Sequence, residues 1–98
     1  MDNGASSYRR FLEGDTNAII DIISDYREGL VLFINSFIDD FCTAEELAED
    51  VFVKLCVDKP DFSGKCSFKT WLFTIGKNAA LNLIKKKSRY YEVSISIT

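Results

Sequence analysis

FSGKCSFKTWLFTIGKN, residues 62–78, reads as a loop that feeds a helix. Gly64 gives the loop backbone freedom. Ser67 is the kind of residue whose side-chain oxygen caps a helix start by accepting from an amide one turn on. From there Phe68, Trp71, Leu72, Ile75, Ala79 and Leu83 recur at helical spacing and make one inward stripe. Thr70, Thr74, Lys77, Asn78 and Lys85 turn away from it. Phe73, Leu81 and Ile84 also fall off the stripe, which predicts a second buried face packed against the first helices. The helix is expected to fray near Lys85–Arg89. The tail EVSISIT, ending at Thr98, alternates as a strand would but has no partner strand, so residues 91–98 read as a linker stub.

Helical spacing continues upstream. Phe11 and Leu12 suit a short first helix that stops at Gly14, and Asp15-Thr16 offers a capping side chain for a new start. Ala18, Ile19, Ile22, Ile23, Tyr26, Leu30, Phe33, Ile34, Phe37 and Ile38 then recur at three- and four-residue steps. Gly29, after a charged stretch, predicts a break or kink near the middle. Asp39–Cys42 reads as a connector, and Thr43-Ala44-Glu45-Glu46 as a capping box. The helix it opens carries Leu47, Ala48, Val51, Phe52 and Leu55 on one stripe and ends before Pro60, because the residue preceding proline avoids the helical region. The expected fold is all-α, a compact bundle of about four helices around one core.

At 98 residues the chain suits one domain. Apolar residues at 47% and charged residues at 28% are those of a globular protein with a core. No apolar run approaches the roughly 20 residues of a membrane span, and the N-terminus MDNGASSYRR lacks a signal sequence's apolar stretch, so the expectation is a cytoplasmic protein without membrane insertion. Cys42, Cys56 and Cys66 are odd in number and widely spaced, which argues for reduced thiols, two of them packed as small hydrophobes. With no histidine and no paired cysteine motif, neither a metal site nor a cofactor is expected. The net charge of −3 hides an asymmetry: residues 1–64 carry −9 and residues 65–98 carry +6. The basic end should attract nucleic acid, and the acidic end a basic protein.

Catalysis finds little support. Gly64-Lys65 suggests a phosphate-binding loop, but that motif needs Gly where Lys59 stands and Ser or Thr where Cys66 stands. A Cys or Ser nucleophile would lack a histidine base. Glu45, Glu46, Glu49 and Asp50 could act as acid and base only if their environments differed, and an exposed helix face keeps them alike. What remains is a loop feeding a helix with Lys, Thr and Asn outward. Lysines attract phosphates without sequence information, and Asn can read a base edge. A Gly-containing loop beside aromatic rings could hold an unstacked base. Phe68 and Trp71 fit better as plain core.

TAEELAEDVFVKLC (residues 43–56), followed by FSGKCSFKTWLFTIGKNAALNLIKKK (residues 62–87), resembles the second conserved region of sigma-70 family factors, closest to the extracytoplasmic-function group. Ser67-Phe68-Lys69-Thr70-Trp71-Leu72, Ile75 and Asn78 match that family's pattern, and the resemblance runs over roughly residues 8–89. It implies a domain over residues 1–90 that binds core RNA polymerase and recognises and melts the promoter minus-ten element. By that resemblance Glu46, Glu49, Asp50 and Val53 dock on the clamp helices of the largest polymerase subunit. Phe62, Ser63, Gly64, Lys65, Cys66 and Ser67 capture a flipped base of promoter DNA. Asn78 contacts bases, and Lys69, Thr74, Lys77, Lys85 and Lys86 complete the DNA surface. An anti-sigma factor is a further partner known in the group. Glu49 stands where the family often has Gln, and Cys66 where it commonly has a basic or polar residue. The family's second domain, a helix-turn-helix, is absent from this chain. The alternative is a helical interaction module that binds polymerase or a regulator without DNA readout. An unbroken exposed patch of Lys69, Lys77, Asn78 and Lys85 would favour the first reading, and a patch interrupted by buried packing the second.

Overall fold

The computed structural model describes the backbone of residues 4–97 and the side chains of residues 4–88. Four helices follow in chain order: α1 (Ala5–Leu12), α2 (Ala18–Ile38), α3 (Phe41–Asp58) and α4 (Phe68–Ile97). The all-α expectation holds, with no strand among the described residues. α2 lies at the centre and packs against each of the other three, while α3 and α4 also touch.

α2 buries Ala18, Ile19, Ile22, Leu30, Val31 and Ile34 and runs without interruption past Gly29. The expected break is absent, since Gly29 lies inside the continuous α2. The glycine that shapes the bundle is Gly76 of α4. A Cβ there would lie 2.7 Å from Leu30 Cδ1 and 3.3 Å from Ile34 Cδ1, so its missing side chain lets α4 approach α2 closely. The buried line of α4 is accordingly Phe68, Leu72, Gly76 and Ala80. Trp71, Ile75, Ala79 and Leu83, assigned inward by spacing, are half-buried beside it. The predicted second face is realised by Phe73, whose ring centroid lies 5.1 Å from that of Phe33 on α2. It is not realised by Leu81 and Ile84, which are 42% and 41% exposed.

Three further expectations are corrected. α3 starts earlier than the capping box suggests. Its cap is Asp40, in extended backbone, whose carboxylate accepts from the Thr43 amide at 3.3 Å and from the Thr43 hydroxyl at 2.7 Å. Thr43 therefore sits inside the first turn. α4 does not fray at Lys85–Arg89 but continues to Ile97, since no Gly or Pro follows Gly76 to stop it. The strand-like tail is thus helical to Ile97, and Thr98 lies outside the described residues. All three cysteines are exposed, so none serves as core. The end of α3 is as predicted: Lys59 turns left-handed at φ 45° directly before Pro60.

An aromatic cluster ties the loop after α3 to the bundle. Tyr8 of α1 lies 5.4 Å from Phe68 and 5.3 Å from Trp71, and Phe62 lies 5.2 Å from Trp71. The Tyr8 hydroxyl donates to the Pro60 carbonyl. Phe68 is fully buried and Trp71 half-buried, in keeping with their reading as core.

Candidate nucleic-acid interface

α4 begins with a compact cap. The Ser67 hydroxyl oxygen accepts from the Thr70 amide at 3.1 Å, and the hydroxyl donates to Thr70 Oγ1 at 2.9 Å. This fixes where the preceding loop joins the helix. In that loop Ser63, Gly64, Lys65, Cys66 and Ser67 are exposed. Gly64 adopts φ 79°, which only glycine takes without strain. Phe62 is half-buried under the loop, edge-on to Phe68 at 5.7 Å. Phe62, Ser63 and Gly64 share a cavity of about 190 Å³ with Ala5, Tyr8, Arg9 and Leu12 of α1. Sequence reading missed the α1 side of this cavity, because no local pattern links α1 to a loop so far along the chain.

Lys69, Thr74, Lys77, Asn78, Lys85 and Lys86 are all exposed on α4. They do not converge on one cavity. Lys69, Thr74 and Lys77 line a groove of about 480 Å³ with Thr70, Phe73 and Phe33 of α2. Asn78 lines a smaller one, about 200 Å³, between α3 and α4 with Asp50, Lys54 and Asn82 among its walls. Lys85 and Lys86 border a third, about 510 Å³, with Leu47 of α3. Lys69, Lys77, Asn78 and Lys85 are thus each exposed, but half-buried Phe73 lies between Lys69 and Lys77, and the four border separate grooves on different sides of α4. Exposed apolar Leu81 and Ile84 interleave with its distal end.

On α3, Glu46, Glu49, Asp50 and Val53 stand at helical spacing on one exposed face, with Val53 56% exposed. Arg27 of α2 reaches Glu45 and Glu49, each at 3.6 Å. Sequence reading did not foresee this bridge, which joins residues on different helices. Ion pairs this exposed contribute little stability. They do share the Glu49 charge between Arg27 and any external partner.

Among the described residues, Asp40 and Tyr8 are shifted from their ordinary values, both supporting structure beside these surfaces. Hydrogen bonds from the Thr43 hydroxyl, then from its amide, hold the Asp40 carboxyl below its ordinary value. Burial, reinforced by Asp61, pushes the Tyr8 hydroxyl up to about 12. Among the described residues no helix is long and apolar enough to cross a membrane.

Residues 22–90 match the Sigma-70 region 2 family. Among curated relatives, the ECF RNA polymerase sigma factor SigW of Bacillus subtilis is 26% identical over 87% of this chain and 46% of its own length. The RNA polymerase sigma factor YlaC of the same organism is 29% identical over 82% of this chain and 46% of its own. The RNA polymerase sigma-H factor of Pseudomonas aeruginosa is 29% identical over 82% and 42%. No solved structure gives a significant match. The chain spans about half the length of the curated relatives it matches. With most of α2, all of α3 and most of α4 inside the matched segment, this chain belongs to the Sigma-70 region 2 family.

Proposed function

We propose that the chain acts in bacterial transcription initiation, docking on core RNA polymerase through the outer face of α3 and engaging the promoter minus-ten element through the loop and outer face of α4. The observation that carries this reading is the opposite charge of two exposed faces on one bundle. α3 presents Glu46, Glu49 and Asp50, and α4 presents Lys69, Lys77, Lys85 and Lys86. An acidic face suits the basic clamp helices of the largest polymerase subunit. Lysines neutralise phosphates, and Asn78 offers a donor and an acceptor to a base edge.

In this reading the Phe62–Ser67 loop and Arg9 hold a base flipped from the non-template strand. Flipping costs a few kcal/mol, which binding of the exposed strand must offset. Melting then follows from selective capture, with no bond made or broken, so the domain acts without catalysis. Residues 1–90 form the working unit in the cytoplasm, residues 91–98 lead into a linker, and an anti-sigma factor would act by covering one of the two faces. Exposed Leu81 and Ile84 favour the second reading, a protein-interaction surface on α4.

The test is binding of the chain to a fluorescent single-stranded oligonucleotide library, with and without purified clamp helices. Sequence-selective, salt-sensitive binding that the clamp enhances is expected. Asn78→Ala should then relax base preference, costing about 1–3 kcal/mol at the position it reads. Clamp binding with no DNA preference would leave the interaction module standing instead.

A further inference from the structure

Tyr8 of α1 joins two parts of the molecule that the sequence keeps far apart. It is 1% exposed, with its ring centroid 5.4 Å from that of Phe68 and 5.3 Å from that of Trp71. Its hydroxyl donates to the Pro60 carbonyl, 52 positions further along the chain. Burial pushes that hydroxyl up to about 12, so it stays protonated, and a donor, at any working pH. One turn along α1, the Phe11 ring lies under Lys59 Nζ, 5.6 Å from its centroid. α1 thus grips both residues at which the chain leaves α3, left-handed Lys59 and Pro60. At the other end of the loop the Ser67 cap fixes the join with α4. Between these anchors Phe62 is held against Trp71, while Ser63, Gly64, Lys65 and Cys66 are exposed.

We infer that Tyr8 is a positioning residue: its hydroxyl, through the Pro60 carbonyl, latches the loop over residues 61–66 in the shape that discriminates between bases. The inference rests on the nucleic-acid reading of the loop. It assigns control of that loop to a helix lying ahead of the family-matched segment, residues 22–90. The ring and the hydroxyl of Tyr8 act on different elements. The ring packs against Phe68 and Trp71 of α4, a helix start that the Ser67 cap and buried Phe68 already fix. The hydroxyl reaches the loop backbone. With it in place, the cavity of about 190 Å³ that Tyr8 and Arg9 share with Phe62, Ser63 and Gly64 keeps its width. Without it, the Pro60 carbonyl loses this donor, and the exposed tip around Gly64 is held at one end by packing alone.

Tyr8→Phe keeps the ring and removes the hydroxyl. It is tested in the full chain beside Ile34→Val, a loss of similar size at a fully buried site on α2. Far-UV melting curves match the two variants for stability. Trypsin cleavage after exposed Lys65, well below the melting temperature, reads the population of open loop. Tyr8→Phe should raise that rate about fivefold, the worth of one net hydrogen bond, and Ile34→Val should leave it near the parent's. On fluorescent single-stranded oligonucleotides, Tyr8→Phe should narrow the ratio of affinities between the best and worst sequences, with affinity for the worst unchanged. Equal cleavage in Tyr8→Phe and the parent, or equal acceleration by Ile34→Val, overturns the latch and returns Tyr8 to plain packing. Faster cleavage with unaltered selectivity overturns its part in base discrimination. If the parent selects no sequence, the nucleic-acid reading of the loop falls and the discrimination role with it, whereas the cleavage rates still decide the latch.

Discussion

α3 and α4 solve the same packing problem and present opposite surfaces. Each lays small residues against its neighbours, Ala44 and Ala48 on α3, Gly76 and Ala80 on α4, and fills the remaining space with larger ones such as Leu55 and Leu72. Outward, α3 shows carboxylates and Val53, whereas α4 shows lysines, threonines and asparagines. The charge asymmetry along the chain thus becomes an asymmetry between faces of one bundle. Inner faces set the fold and outer faces set the partners, so the two kinds of residue should be separable by mutation.

The largest effects belong to what the helices share. Leu55 and Leu72 are both fully buried. Leu55→Ala and Leu72→Ala should each cost about 2–5 kcal/mol of stability, from lost transfer energy plus the cavity left behind. Urea denaturation monitored by far-UV dichroism measures this. A much smaller cost at either site would show that its helix is held by something other than its buried stripe.

Much of that stripe was legible in the sequence, and its misreadings have physical causes. Periodicity located four helices, since apolar residues at helical spacing survive as buried lines. It placed Ile75 and Ala79 too deep because it scores glycine as a breaker. Gly76 instead marks the closest approach to α2, where a Cβ would lie 2.7 Å from Leu30 Cδ1. The capping box drew the α3 start to Thr43, yet Asp40 caps it one turn earlier, and both residues suit a cap by type. In the candidate site, exposure of Thr74, Lys77, Asn78 and Lys85 was foreseen from their position off the stripe. Arg27, Arg9 and Phe33 were not, because each joins the surface from another helix, and only tertiary packing brings it there.

The outer faces give the next effect. Asp50 is exposed and makes no ion pair among the described residues. Asp50→Lys should therefore weaken docking on purified clamp helices at least tenfold, about 1.4 kcal/mol, while the melting temperature stays near the parent's. Glu49→Lys is a less clean probe, since it also sets a cation beside Arg27. Normal docking by Asp50→Lys, read by fluorescence anisotropy, would move the polymerase contact off this face.

The smallest effect sharpens the comparison at the helix starts. α3 and α4 open with the same spacing, Asp40 to Thr43 and Ser67 to Thr70, but one cap is a carboxylate and the other a hydroxyl. The Asp40 carboxyl is held below its ordinary range, chiefly by the Thr43 hydroxyl. A group whose folded value is lowered stabilises the fold above its unfolded value and loses that contribution as pH falls through the folded one. Ser67 has no charge to lose. The melting-temperature deficit of Asp40→Ala relative to the parent should thus be full at neutral pH and shrink below about pH 4. That of Ser67→Ala should stay level across the same range. Other carboxylates titrate there too, but they are common to parent and variant and cancel in the difference. A deficit for Asp40→Ala that does not change with pH would mean that its charge contributes nothing to the α3 cap, leaving the two helix starts equivalent.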